Sequence, residues 1–272
     1  MGIKDILVHV DTSPAVDPRL HVALRLARRF DAHVTAAFIL PAVDVLALAD
    51  SGPVTVQLAA YLATLREDAA AAEKSFVKML RPADVQGEWR TESGSAAASL
   101  TRLAQAADLV VLRQRDPENL VEPLAPEDVI LACGRPALIV PRAGSFDHVG
   151  ETVLVGWNGS REATRAIHDG LPLLASSGSI TLLSATRRAE DEGANLADLT
   201  GHLARHGFHV EREQLTERDA DVASTMNARA AALGADMIVM GAYGHSRLRE
   251  MILGGTTQAM LRHITVPTLM AH

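Results

Sequence analysis

The chain is written twice. An apolar run ending in a polar turn, Ile6-Leu7-Val8-His9-Val10-Asp11-Thr12-Ser13, returns as Val153-Leu154-Val155-Gly156-Trp157-Asn158-Gly159-Ser160. Ala107-Asp108-Leu109-Val110-Val111-Leu112, after an Ala-rich stretch, returns as Ala235-Asp236-Met237-Ile238-Val239-Met240. Each half closes on a Pro-led apolar segment, Pro136-Ala137-Leu138-Ile139-Val140 and Pro267-Thr268-Leu269-Met270-Ala271. Such repetition constrains a fold before any single motif does. The three pairs read as first, fourth and fifth strands of two like units.

Between these anchors, strand-like runs at 33–40 and 179–184, then 88–91 and 209–214, alternate with helix-length segments, giving βαβαβαβαβ twice. Apolar runs buried on both faces and joined by crossover helices specify parallel sheets, and right-handed connections restrict them to a doubly wound, nucleotide-binding-like α/β layout. A length of 272 residues suits two units of roughly 100–150 residues each. The expected domains are 1–142 and 151–272, with the polar stretch Ala143-Gly144-Ser145-Phe146-Asp147-His148 as linker. The halves differ most at 41–56, an insertion-like stretch followed by a long helix over 57–80. That stretch reads either as a lid or interaction surface or as an ordered connection.

Formal charge is −7 with both signs interspersed, so no basic footprint marks a nucleic-acid or anionic-membrane partner. The lone Cys133 gives no internal disulfide and no cysteine metal cluster. The start runs into Lys4-Asp5 without a signal-peptide core, and the most apolar stretch is broken by Pro41 and Asp44. The expectation is a soluble cytoplasmic protein without a membrane span.

The most informative stretch is Gly241-Ala242-Tyr243-Gly244-His245-Ser246-Arg247-Leu248-Arg249-Glu250-Met251-Ile252-Leu253-Gly254-Gly255-Thr256-Thr257. It follows an expected strand, at the edge where open α/β sheets bind ligands, and Gly241 and Gly244 would let backbone N–H groups approach an anion. Gly254 and Gly255 with Thr256 and Thr257 open a helix whose first N–H groups attract phosphate oxygens. Read without a ligand, the same glycines make turns and close packing.

The spacing Gly, two residues, Gly, nine residues, Gly resembles the ATP-binding loop of the universal stress protein family. The likeness covers both halves, each with that family's first-strand turn and closing Pro-led strand. It implies tandem five-stranded sheets of order 3-2-1-4-5 with helices on both faces, and ATP or ADP, with or without Mg²⁺, in the second half. It also implies pairing of the two last strands, making the halves an intrachain pseudo-dimer; a further homodimer and unidentified protein partners stay open. Two positions depart from the family pattern: Gly255 stands where Ser or Thr is usual, and Asn158 where Asp is usual at the first-strand turn. Asn158 can still donate and accept hydrogen bonds.

After Leu112 the first half reads Arg113-Gln114-Arg115-Asp116-Pro117-Glu118-Asn119-Leu120-Val121-Glu122-Pro123-Leu124-Ala125-Pro126, without glycine and with three prolines. Prolines delete N–H donors, so no nucleotide is expected there; Asp11 is expected to cap a helix, and Arg113 and Arg115 to be a solvated pair, with binding of another anion as the alternative. His202, His206 and His209 allow a metal reading, against a surface helix end as the better one. His245-Ser246 lacks a nucleophile elbow. Without a Walker lysine or a carboxylate cluster for Mg²⁺, no efficient phosphoryl transfer is expected, with Glu250 the nearest carboxylate for at most slow ATP hydrolysis. Three functions remain: a nucleotide-dependent binding or switch protein in the stress response, a nucleotide-free scaffold, and a weak ATPase.

Overall fold

The computed structural model describes residues 2–13, 16–42, 53–116, 124–184, 189–214, 221–244 and 255–272. The first half contains β1 (Asp5–Val10), α1 (Val16–Phe30), β2 (His33–Leu40), α2 (Pro53–Ala83), β3 (Gly87–Ser93), α3 (Ala96–Ala104), β4 (Leu109–Arg113), α4 (Pro126–Ala132) and β5 (Ala137–Val140). The second repeats the order with β6 (Thr152–Trp157), α5 (Arg161–Leu174), β7 (Ser179–Ser184), α6 (Ala189–Arg205), β8 (Val210–Gln214), α7 (Val222–Leu233), β9 (Met237–Gly241), α8 (Thr256–His263) and β10 (Thr268–Ala271).

The strands form one sheet of ten, ordered β3-β2-β1-β4-β5-β10-β9-β6-β7-β8. Each half therefore has the order 3-2-1-4-5, all parallel, and the two meet where β5 and β10 pair antiparallel with Leu269 opposite Leu138. Pairing the closing strands removes two sheet edges at once. The remaining edges, β3 (GEWRTES) and β8 (VEREQ), each carry three charged side chains, which discourages further strand addition.

Side chains of the central strands alternate between two apolar layers. Val8, Val111, Leu138, Val155, Val239 and Leu269 lie in one, and Leu7, Val110, Ile139, Leu154, Ile238 and Met270 in the other. Both layers run through the β5–β10 seam, so the halves share their core. The segment between β5 and β6 is held down: Arg25 donates to Asp147 O (2.8 Å), Arg29 to Val149 O (2.9 Å) and Leu173 O (2.8 Å), and Ser177 Oγ to Gly150 O (2.7 Å).

The fourth strands begin two residues later than the repeated Ala-Asp pairs suggest, and the reason is chemical. Asp108 Oδ2 accepts from Lys4 N (2.7 Å) and Asp5 N (3.1 Å). Asp236 accepts from Gly150 N (2.7 Å), Glu151 N (3.0 Å) and Thr152 N (3.3 Å). Each carboxylate ties the amino end of its neighbouring first strand, satisfying backbone donors there. Helix α2 is 31 residues long, starting earlier than the expected 57 and stopping one residue past Pro82. The segment 43–52 of the insertion lies outside the described residues.

Candidate functional site

In the second half, the carboxyl ends of the parallel neighbours β6 and β9 meet the amino end of α5. Asn158 is exposed at the end of β6, and its Oδ1 accepts from Ser160 N (3.1 Å) across Gly159, whose φ is +74°. Ser160 caps α5, its Oγ accepting from Ala163 N (3.1 Å). This is the side-chain cap that a serine before a helix supplies. Glu162 follows in the first turn, buried, with Oε1 3.3 Å from Arg161 Nε.

The exit of β9, residues 241–244, packs onto this helix start. A Cβ on Gly241 would stand 2.4 Å from Ala163 N, so glycine is required there by the passage of α5 across the strand end. A Cβ on Gly244 would stand 2.9 Å from Glu162 Oε2 and 3.0 Å from Ser160 Oγ, so a side chain there would have to displace those two groups. Between them, Tyr243 has a φ of +60° and its N–H donates to Thr257 Oγ1 (3.1 Å).

Gly255 is the N-cap of α8 without a side-chain cap, Thr256 is the first helical residue, and Thr257 is buried. The structure thus gathers Asn158, Gly241 and Gly244 around the first turn of α5 and links Thr257 to the loop through Tyr243. Gly254, His245, Ser246 and Glu250 lie outside the described residues. Sequence reading missed Ser160, Glu162 and Tyr243, although Ser160 ahead of a helical pattern was a readable cap signal. It also missed Ser184, whose Oγ at the end of β7 is buried without a hydrogen-bond partner.

The equivalent place in the first half is filled by charge. Arg113 ends β4 as Gly241 ends β9, and its Nε lies 3.4 Å from Asp11 Oδ2. Asp11 Oδ1 accepts from Arg19 Nη2 (2.6 Å), from Ser13 N (2.9 Å) and from the Ser13 hydroxyl. Arg19 is completely buried and also donates to His9 O (2.9 Å). Burial alone would raise the Asp11 pKa, but the Arg19 charge and the hydrogen bonds hold the carboxyl well below its usual range. Burial first, then Arg19, push His9 down to about 3, so its imidazole is neutral.

One expectation changes here. Asp11 serves as the counter-ion of Arg19 and Arg113 and closes an Asx-type turn onto Ser13, while residues 14–15, where it would cap α1, lie outside the described residues. Arg113 is buried against Asp11, and the half-buried Arg115 pairs with Glu127, so they are not a solvated pair; the buried guanidinium in particular needs its carboxylate. The strand exit is further tied to the other half, Gln114 Nε2 donating to Arg262 O (2.7 Å) and Arg115 N to Leu261 O (3.2 Å).

His202 and His206 share one face at the end of α6, as their spacing predicts, and the third ring beside them is His168 of α5. His209 is exposed, ahead of β8. Among the described residues, no helix is long and apolar enough to cross a membrane.

The universal stress protein family model matches residues 2–133 and again 151–272. A curated relative, the universal stress protein Slr1230 of Synechocystis, is 30% identical over 146 residues, 53% of this chain and 49% of its own length. The chain thus spans about half of that relative. A universal stress protein structure from Archaeoglobus fulgidus superposes with a TM-score of 0.77 at 16% identity, covering 98% of this chain and 95% of its own. A protein of unknown function from Pseudomonas aeruginosa gives 0.65 at 15% identity, covering 99% and 92%. At such identities the structures speak for the fold, and the repeated family match carries the assignment: the chain belongs to the universal stress protein family, with two of its domains in tandem.

Proposed function

We propose that the chain is a cytoplasmic stress-response protein that binds one adenine nucleotide, ATP or ADP, in its second half and acts by binding rather than turnover. The observation that carries this reading is the contrast between equivalent strand ends. One is filled by Arg113, Asp11 and Arg19. The other presents the bare backbone of Gly244 beside Ser160 and the first turn of α5. A helix start and a glycine backbone together favour phosphate oxygens, while the Asn158 amide and the Ser184 hydroxyl offer groups for ribose or base.

Calorimetric titration of nucleotide-stripped protein with Mg-ATP and ADP tests it, beside a Gly244→Gln variant checked for intact folding. Saturable binding lost in the variant is expected; equal binding by both would remove the site from the second half.

One observation favours the scaffold reading. The Glu162 carboxylate adjoins Gly244 and would repel a phosphate there. Under the nucleotide reading a divalent cation offsets that charge, so binding of ATP should strengthen with Mg²⁺; absence of nucleotide binding at any Mg²⁺ concentration leaves the scaffold.

A further inference from the structure

One short helix touches both fourth-strand exits. Counted from the ends of β4 and β9, Arg115 of the first half is the equivalent of Tyr243 of the second, and the backbone N–H groups of both donate to α8. Tyr243 N donates to Thr257 Oγ1 (3.1 Å) in the first turn, and Arg115 N to Leu261 O (3.2 Å) in the last. At eight residues, α8 bridges the two exits over about 12 Å.

The two ends of α8 are finished differently. A helix leaves its last four carbonyls without partners of its own. Here Met260 O accepts from Ile264 N (2.9 Å), Leu261 O from Arg115 N, Arg262 O from Gln114 Nε2 (2.7 Å) and His263 O from Asn227 Nδ2 (3.1 Å). Two of these four donors belong to the first half. Gln114 is buried, and its Oε1 accepts from Arg142 N (3.1 Å), so its amide is held from both sides. The opposite end of α8 starts at Gly255 without a side-chain cap, next to the candidate nucleotide site.

A two-turn helix is marginal by itself, because its first turn is costly to form and each further bond depends on those already made. Caps at one end therefore favour order at the other. Gln114 and Arg115 close the far end, and a phosphate at the near end would supply the cap that Gly255 lacks.

We propose that Gln114 is a positioning residue for the nucleotide of the second half, acting through α8, and that nucleotide binding in turn tightens the strand exit of the first half at Gln114 and Arg115. The coupling rests on the nucleotide reading of the second half. It gives the charge-filled half a part in the response: Arg115 pairs with Glu127 of α4, and Asp116 with Arg142 at the start of the segment joining the halves, so a tightened exit acts on both. Such coupling is reciprocal, each contact favouring the other by the same factor.

The test follows two readouts in the full-length chain: ADP affinity by calorimetry, and amide exchange by NMR with and without saturating ADP. Gln114→Met keeps the side-chain length and removes both amide hydrogen bonds. Arg25→Met, which frees the joining segment at Asp147 without touching α8, is the control. ADP is expected to slow exchange at Arg115 N and to leave Gly94 N, which donates to Leu40 O (2.9 Å) in the same half, unchanged. Gln114→Met is expected to weaken ADP binding about fivefold or more, with Arg25→Met at the unmutated affinity. Saturable ADP binding with either Arg115 exchange or the Gln114→Met affinity unmoved would overturn the coupling and leave the nucleotide reading in place, as would equal losses in the two variants. Absence of ADP binding by the unmutated chain would remove both. Should Gln114→Met fail to fold, the exchange measurement on the unmutated chain decides alone.

Discussion

The guanidinium Nε of Arg113 lies 3.4 Å from Asp11 Oδ2, bridging the ends of β4 and β1 at the place where the second half has Gly241 and Asn158. One ion pair thus separates two halves that share a fold. Where a first-strand carboxylate would otherwise be open to a ligand, Arg113 and the buried Arg19 engage it from within the protein.

That buried network makes stability depend on pH through His9. In the unfolded chain His9 takes up a proton below its ordinary 6.5, while in the folded protein it stays neutral down to about 3. The unfolded state binds the extra proton across this window, so the His9 contribution is complete above 6.5 and is lost as pH falls toward 3. The expected slope is up to about 1.4 kcal/mol per pH unit. Urea denaturation of the unmutated protein and His9→Gln between pH 7.5 and 5 should show a flatter dependence in the variant; equal slopes would place the acid sensitivity elsewhere.

Gly241 and Gly234 separate two reasons for glycine. Gly241→Ala puts a methyl 2.4 Å from the Ala163 nitrogen and should cost about 3 kcal/mol. Gly234 has a φ of +61° with open space around it, so Gly234→Ala should cost only about 1 kcal/mol, the left-handed backbone penalty. Chemical denaturation of both without nucleotide gives the comparison, and a larger loss at Gly234 would contradict the close α5–β9 approach.

Removing the carboxylate beside Gly244 should help an anion. Glu162→Gln is expected to tighten ADP binding by on the order of tenfold, with a shallower dependence on salt. Weaker binding in this variant, with its fold intact, would mean that Glu162 serves the ligand instead of repelling it.

The β5–β10 seam should hold the halves together without the linker. A protease site inserted between Gly144 and Ser145, in an exposed stretch, would allow the chain to be cut after folding. The two fragments should co-migrate in size exclusion, and Leu269→Asp, which places a charge at a fully buried position opposite Leu138, should separate them or prevent folding. Fragments of the cut but otherwise unmutated chain that separate freely would contradict a shared core.

The repeated first, fourth and fifth strands were legible because their apolar runs have no polar alternation, and the structure places them at the centre of the sheet. Gly241 and Gly244 were singled out by spacing, and the structure brings both against the start of α5. Less visible were residues that act across the fold: Asp108 and Asp236 tie strand ends about a hundred positions away in the chain, and Glu162 meets Gly244 only because α5 crosses β9. Arg19 reads as one more helical arginine until Asp11, eight residues earlier, turns back upon it. His168 likewise joins His202 only when two helices pack side by side. Local patterns specify elements, whereas pairings of this kind exist only in the assembled sheet.

The most direct measurement is the stoichiometry of Mg-ATP binding to the nucleotide-stripped, unmutated chain at saturation, by calorimetry or equilibrium dialysis. One nucleotide per chain is the expected result, with the second half open and the first closed by Arg113, Asp11 and Arg19. Two per chain, or none, would contradict it.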